Sequence, residues 1–395
     1  MPEPPIFEVL GMVGTILKYT WWFLLPIGLY SIFKPVWLSY TTNVLFFGGE
    51  IKQTLLKIKI PKDMLVNPKA MENVIIGLLG SGRTITPYRG IMFGRLQDYF
   101  SLEIVGQEGD VSFYILTPHR SIRLVEKLIY GQFPDVEIEI AKEDYFSKIP
   151  STVPDENWNM WGTKLILAKE DCRPLITYPF FEDKQEGEIS DPMAGAFEAM
   201  GSLGPGENLI LQIQVGQPPT SYDWRKKGEE LIEKVLEKYN MGPLADYTEE
   251  GTFMKILPYH EQELVKSIHS KMNRPAVSAQ ILVAYIARRE VYNDISMSAI
   301  TGALRQMESL YNTFVTDKYY TTTAYHAFGK SRRSYRQRRL IKLMQERDMQ
   351  GTINVLTGEE VATIFHFPTP TTKVPSIPHM DSKRAPAPTN LPVGE

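Results

Sequence analysis

The chain has 395 residues, 43% hydrophobic and 23% charged, which leaves room for two or three domains with packed cores. A formal net charge of −3 excludes a global field drawing the molecule to nucleic acid, so any such binding must come from a local patch. The single cysteine, Cys172, excludes an internal disulfide, and a lone thiol reads first as a small buried hydrophobe.

From Leu10 to Phe33 the only charge is Lys18, and Tyr19 to Phe33 reads YTWWFLLPIGLYSIF. A bilayer span needs about 20 apolar residues, so residues 11–33 suffice if Lys18 snorkels at one end. The expectation is one transmembrane helix, anchored by Tyr19, Trp21, Trp22, Phe23, Leu24, Leu25, Ile27, Leu29, Ile32 and Phe33. Aromatic residues gather near its ends and Pro26 is a kink that bilayer helices tolerate. A cleaved signal peptide fits poorly, because Glu3 and Glu8 stand where basic residues belong. A buried core helix is the other rival, and the adjacent Trp21 and Trp22 speak against it. Lys52, Lys57, Lys59 and Lys62 follow the run, so the positive-inside bias predicts a single-pass protein of the cell membrane with a cytoplasmic body.

Residues 53–60 (TLLKIKIP from Thr54 onward) alternate apolar and charged side chains, as a half-buried strand does. Residues 68–79 place Met71, Val74, Ile75 and Leu78 on one helical face. Strands are expected at 100–106 and 111–117 around the turn Glu108-Gly109-Asp110, then a helix over 121–130 and a strand over 135–140. Strand, helix, strand, strand, helix, strand is the split βαβ order, with one sheet face under two helices and the other free for a partner. The order partly recurs. Residues 164–168 and 175–178 read as a strand pair, 192–202 as a short helix, and 208–215 (NLILQIQV) as a strong strand. Asp223 caps a helix to Tyr239, and helices or strands follow at 261–272, 276–288, 299–310 and 313–315. The fold class expected is α+β, one N-terminal transmembrane helix followed by two ferredoxin-like α/β sandwich modules. The divisions are 1–49 for the anchor and interfacial segment, 50–150 and 151–329 for the two modules, 330–368 for a basic arm with a short strand and helix, and 369–395 for a Pro-rich disordered tail.

Two glycine-containing stretches imitate phosphate loops. AYHAFGKS, residues 324–331, ends in Gly-Lys-Ser, but bulky Tyr325, His326 and Phe328 fill positions where backbone amides must curl around phosphate, and no apolar strand feeds it. GLLGSGRT, residues 77–84, has Arg83 in place of the lysine and follows a helix. The six histidines show no metal spacing and no hydrolase elbow occurs, so no catalytic residue, cofactor or metal is expected. The arm is more informative: Lys330, Arg332, Arg333, Arg336, Arg338, Arg339 and Lys342 crowd together, with Leu340, Ile341 and Leu343 as an apolar side. Spacing alone leaves a solvated helix, anionic lipid, nucleic-acid phosphate or an acidic partner surface open.

Three stretches resemble a known family. They are DVSFYILTPHRSIRLVEKLIYGQFPDVEIE at 110–139, SRRSYRQRR at 331–339, and LTGEEVATIFHFP at 356–368 followed by APAPTNLP. They resemble the N-terminal, non-ATPase region of conjugative type IV secretion ATPases of small-genome bacteria. In that family a membrane segment and ferredoxin-like modules precede a RecA-type motor. The sequence given ends where that motor would begin, so the resemblance implies a membrane-anchored, non-catalytic platform that docks a separately encoded secretion ATPase, in an oligomer with it. Two alternatives remain beside that reading: a module binding DNA or RNA through the 330–347 arm, and an ATPase using Lys330 in the degenerate loop at 324–331.

Overall fold

The structure is a computed structural model that describes residues 15, 18–23, 25–26, 28–37, 40, 52–61, 67–80, 99–181, 190–218, 222–239, 257–293, 296–323, 328–349 and 353–368. The chain divides into two units, one of residues 1–52 with 83–97 and one holding the rest.

In the first unit, residues 18–23, 25–26 and 28–37 are helical, and Tyr19, Trp21, Trp22, Phe23, Leu25, Leu29, Ile32 and Phe33 are exposed. Leu24 and Ile27 lie outside the described residues. The expected transmembrane helix is corrected here: no helix among the described residues is long and apolar enough to cross a membrane. The single-pass localisation falls with it, since it rested on that helix alone.

The second unit is built on one antiparallel sheet of nine strands. Its first half runs β1 (Gln53–Lys59), α1 (Pro68–Gly80), β2 (Tyr99–Gln107), β3 (Asp110–Pro118), α2 (Ile122–Gln132) and β4 (Glu137–Ile140). Its second half runs β5 (Trp158–Leu167), α3 (Ala194–Gly201), β6 (Glu207–Gly216), α4 (Trp224–Lys238), α5 (Tyr259–Met272), β7 (Ala276–Arg288), α6 (Ser296–Arg305) and β8 (Phe314–Thr316). Then come α7 (Gly329–Glu346), β9 (Asn354–Thr357) and α8 (Gly358–Ile364). The strands stand in the order β4-β1-β3-β2-β6-β7-β5-β8, with β9 beside β7. From either edge inward, each half gives the same order, fourth, first, third, second. The halves join where β2 pairs with β6, from Tyr99↔Gly216 to Gln107↔Asn208.

Two separate sandwich modules were expected, and one continuous sheet is found. The reason lies in β2 and β6, which are buried on both faces along almost their whole length and pair along the edge each half would otherwise expose. The expected free face is also covered. Leu56, Phe113, Leu211 and Ile281 point to one side, under α1, α2, α3, α6 and α8. Leu116, Ile210, Leu282 and Ala284 point to the other, under α7 and the segment Tyr145–Val153. A third cluster packs α4 and α5 around Cys172 and Val355, and burial raises the Cys172 thiol pKa. The strand pair proposed around Cys172 is corrected as well. The strand is Trp158–Leu167, while residues 175–177 are irregular, Tyr178 opens a 3-10 turn, and both are tied to α8 by Leu175 N–H donating to Glu360 and Tyr178 N–H to Thr363. The Pro-rich tail from residue 369 lies outside the described residues.

Candidate anion-binding surface

Helix α7 is the basic arm. Arg, Lys, Gln, Leu and Met are good helix formers, yet the helix has no acidic residue in its first turn and sets Lys330, Arg332 and Arg333 at its positive dipole end. Its stability therefore comes from tertiary packing. Leu340, Ile341, Leu343 and Met344 are buried against the sheet. Gln337 donates to the Met160 carbonyl of β5 at 2.6 Å. Gly162 of β5 permits the close approach, since a Cβ there would lie 2.5 Å from Leu340 Cδ2 and 2.9 Å from the Val283 carbonyl oxygen.

The C-terminal end is held by Arg347, in a left-handed conformation (φ 50°) just past the helix. Its Nε donates to Glu103 Oε1 at 2.8 Å and its Nη2 to Glu103 Oε2 at 3.2 Å. Its Nη1 meets Asp144 Oδ2 at 2.6 Å. Burial opposes the guanidinium charge, but the carboxylates of Glu103 and Asp144 outweigh it and raise its pKa well above the ordinary value. Tyr145, buried beneath that guanidinium, is pushed well up, by burial first and by Glu103 second. Ser101 and Gln212 also donate to Glu103, so the buried carboxylate is fully engaged. Farther along the same face Lys164 of β5 is buried, donates to Gln280 at 2.7 Å, and is pushed down to about 8 by burial. This interior is polar but closed. Gln212 Oε1 and Gln214 Nε2 alone lack partners among the buried side chains described.

The seven arm residues singled out by sequence divide in two. Arg336 donates to the carbonyls of Thr321 and Thr323 at 3.2 and 2.8 Å, so it staples the 321–323 segment to the helix. Arg339 lies over the Tyr320 ring, 4.4 Å from its centroid, and donates to its hydroxyl. Lys342 faces Glu346 at 3.6 Å, one turn on. Lys330, Arg332, Arg333 and Arg338 are exposed and make no ion pair among the described residues. Arg333 falls on the same line as Gln337 and Leu340, four and seven residues on, yet it is exposed where they are buried, so the first turn of α7 overhangs the sheet.

Sequence reasoning missed the exposed rings beside the arm. Phe328, the residue before α7, is 84% exposed and held at φ 61°, a conformation unfavourable for a bulky side chain. Tyr335 is 67% and Tyr319 62% exposed. Arg332, Tyr335, Arg339 and Lys342 recur at intervals of three and four, which on a helix is one stripe, while Phe328 stands before the helix and outside its geometry. Lys330, the lysine of the imitation phosphate loop at 324–331, sits in the first turn of an exposed helix.

A cleft of about 340 Å³ opens elsewhere, between the end of α5 and the start of α8. Its charges close on one another, Lys271 with Glu360 at 2.9 Å and Arg274 with Glu359. No group of metal-ligating side chains occurs among the described residues. In comparison with known proteins, the sequence matches no family model, and no curated protein matches it.

Proposed function

We propose that this chain is a non-catalytic binding module, an accessory platform for a separately encoded ATPase of the conjugative type IV secretion kind, and that the cationic outer face of α7 binds a polyanionic partner. One observation carries the second half of the reading. Lys330, Arg332, Arg333 and Arg338 are exposed on one helix and make no ion pair among the described residues, while the far side of that helix is bound to the sheet. Like charges so placed repel one another, and an anionic partner relieves that. The first half rests on the resemblance at 110–139, 331–339 and 356–368, of which the middle stretch is the arm itself.

Retention on immobilised heparin tests the surface. The wild-type chain is expected to elute at high salt, and the variant Lys330→Ala, Arg332→Ala, Arg333→Ala, Arg338→Ala at markedly lower salt, because each cation removed means one counterion fewer released on binding. Equal elution of the two removes α7 as the site. Co-expression with a secretion-type ATPase from the same genome tests the platform role, with co-purification as the expected outcome and its absence as the refutation.

A further inference from the structure

We infer that the cleft between α5 and α8 docks a proline-rich segment in extended, polyproline form, and that its occupant is this chain's own residues 383–392, KRAPAPTNLP. The acceptors of the cleft are spent. Glu359 takes Thr177 and Arg274, and Glu360 takes Lys271 and the N–H groups of Leu175 and Thr357. Its donors are not. The hydroxyls of Ser270 and Tyr311 make no hydrogen bond among the described residues. Burial first and Glu263 second raise the Tyr311 pKa, so that hydroxyl keeps its proton. Arg274 gives Nη1 to Glu359, and its side chain is 43% exposed. A cleft with donors to offer and no free carboxylate selects a ligand rich in acceptors and poor in donors. A proline-rich strand is such a ligand, because every residue presents a carbonyl and proline has no N–H. These segments dock in grooves lined by aromatic rings. Phe180, 74% exposed, and Tyr311 line this one, with Leu310, 88% exposed, beside them. Charge then chooses the occupant. A hydrogen bond to Glu263 raises the Tyr259 pKa, so this exposed carboxylate stands beside both tyrosines. Lys383 and Arg384 immediately precede Pro386 and Pro388, and a basic end meets an acidic rim. Reach permits it. Helix α8 starts at the cleft and spans about 10 Å at 1.5 Å per residue. Sixteen residues separate Pro368 from Arg384, up to about 50 Å of polyproline chain at 3.1 Å per residue.

A fluorescein-labelled peptide of residues 381–395 is titrated by anisotropy into the full chain, wild type or carrying Pro386→Ala with Pro388→Ala. The wild-type segment competes from an effective concentration near the millimolar range, so the proline variant should bind the peptide about ten-fold more tightly. Adding Phe180→Ala and Tyr311→Ala to that variant should abolish binding, because the rings that receive the segment are gone. Adding Glu263→Lys instead changes only an exposed side chain and should weaken binding about three-fold. A peptide with Arg384→Glu should recover that loss. Circular dichroism and the urea midpoint check folding, and if the ring variant does not fold, the Glu263 exchange decides alone. Heparin retention should stay as in the wild type throughout, because α7 is untouched. A peptide that does not bind the proline variant, or that binds it unchanged once both rings or the Glu263 charge are altered, overturns the inference. Equal binding to the wild type and the proline variant overturns it too, since the chain's own segment then does not occupy the cleft.

Discussion

The two ends of α7 carry the same residue type to opposite ends of its physical range. Arg347 at the C-terminal end is buried, forked onto Glu103 and Asp144, and stacked over Tyr145 and Phe146. Arg332, Arg333 and Arg338 toward the N-terminal end are exposed and make no ion pair among the described residues. An arginine in a buried network acts on stability, because removing it strands a carboxylate in a low-dielectric interior. An arginine in solvent contributes little to folding and is available to a partner. A run of basic residues is therefore not one feature but two, divided by which side chains meet buried partners and which face solvent.

The largest expected effect comes from breaking the buried end. Arg347→Ala leaves Glu103 uncompensated and should cost about 3–5 kcal/mol of unfolding free energy, read from the urea midpoint and slope. Exposed-end substitutions such as Arg338→Ala should move the same midpoint by less than about 0.5 kcal/mol. If the two were equal, the contrast between the ends would collapse.

A smaller effect is expected between them. Gly162→Ala sets a methyl carbon 2.5 Å from Leu340 and 2.9 Å from a backbone oxygen that cannot move aside. It should cost about 1–3 kcal/mol and speed amide exchange in residues 337–344, because the added carbon lifts the helix from the sheet. Unchanged exchange there would mean that Gly162 does not set the seating of α7.

A third effect has the opposite sign. Phe328→Gly relieves the left-handed strain, since glycine adopts positive φ freely. It should stabilise the fold by about 1 kcal/mol, visible as a raised urea midpoint. A destabilised variant would show that the Phe328 ring packs on something.

Much of the architecture was legible because it depends on local pattern. The alternation in Gln53–Lys59, the turn at Glu108-Gly109-Asp110 and the stripe Val125, Ile129 of α2 follow from side-chain period alone. Thr357 with Glu360 forms a capping box at the start of α8, a signature within four residues. The candidate site was half legible: the cations were visible, but which of them have partners was not, since Arg336 is engaged by carbonyls 13 and 15 residues away and Arg347 by a carboxylate 244 residues away. Residues 158–178 misled for a related reason. Leu175 and Tyr178 look like strand residues, yet they are apolar because α8 covers them.

By itself the sequence determined an α+β chain, the place and type of most elements and the cluster of cations in the arm, because periods of 2 and 3.6 residues and runs of charge are written in consecutive side chains. Only the tertiary structure decided that the two halves share one sheet, that α7 closes its second face, and which arginines are locked inside or left in solvent. Strand edges and long-range ion pairs are settled by which distant segments meet, and that information is spread across the whole chain rather than held in any window of it.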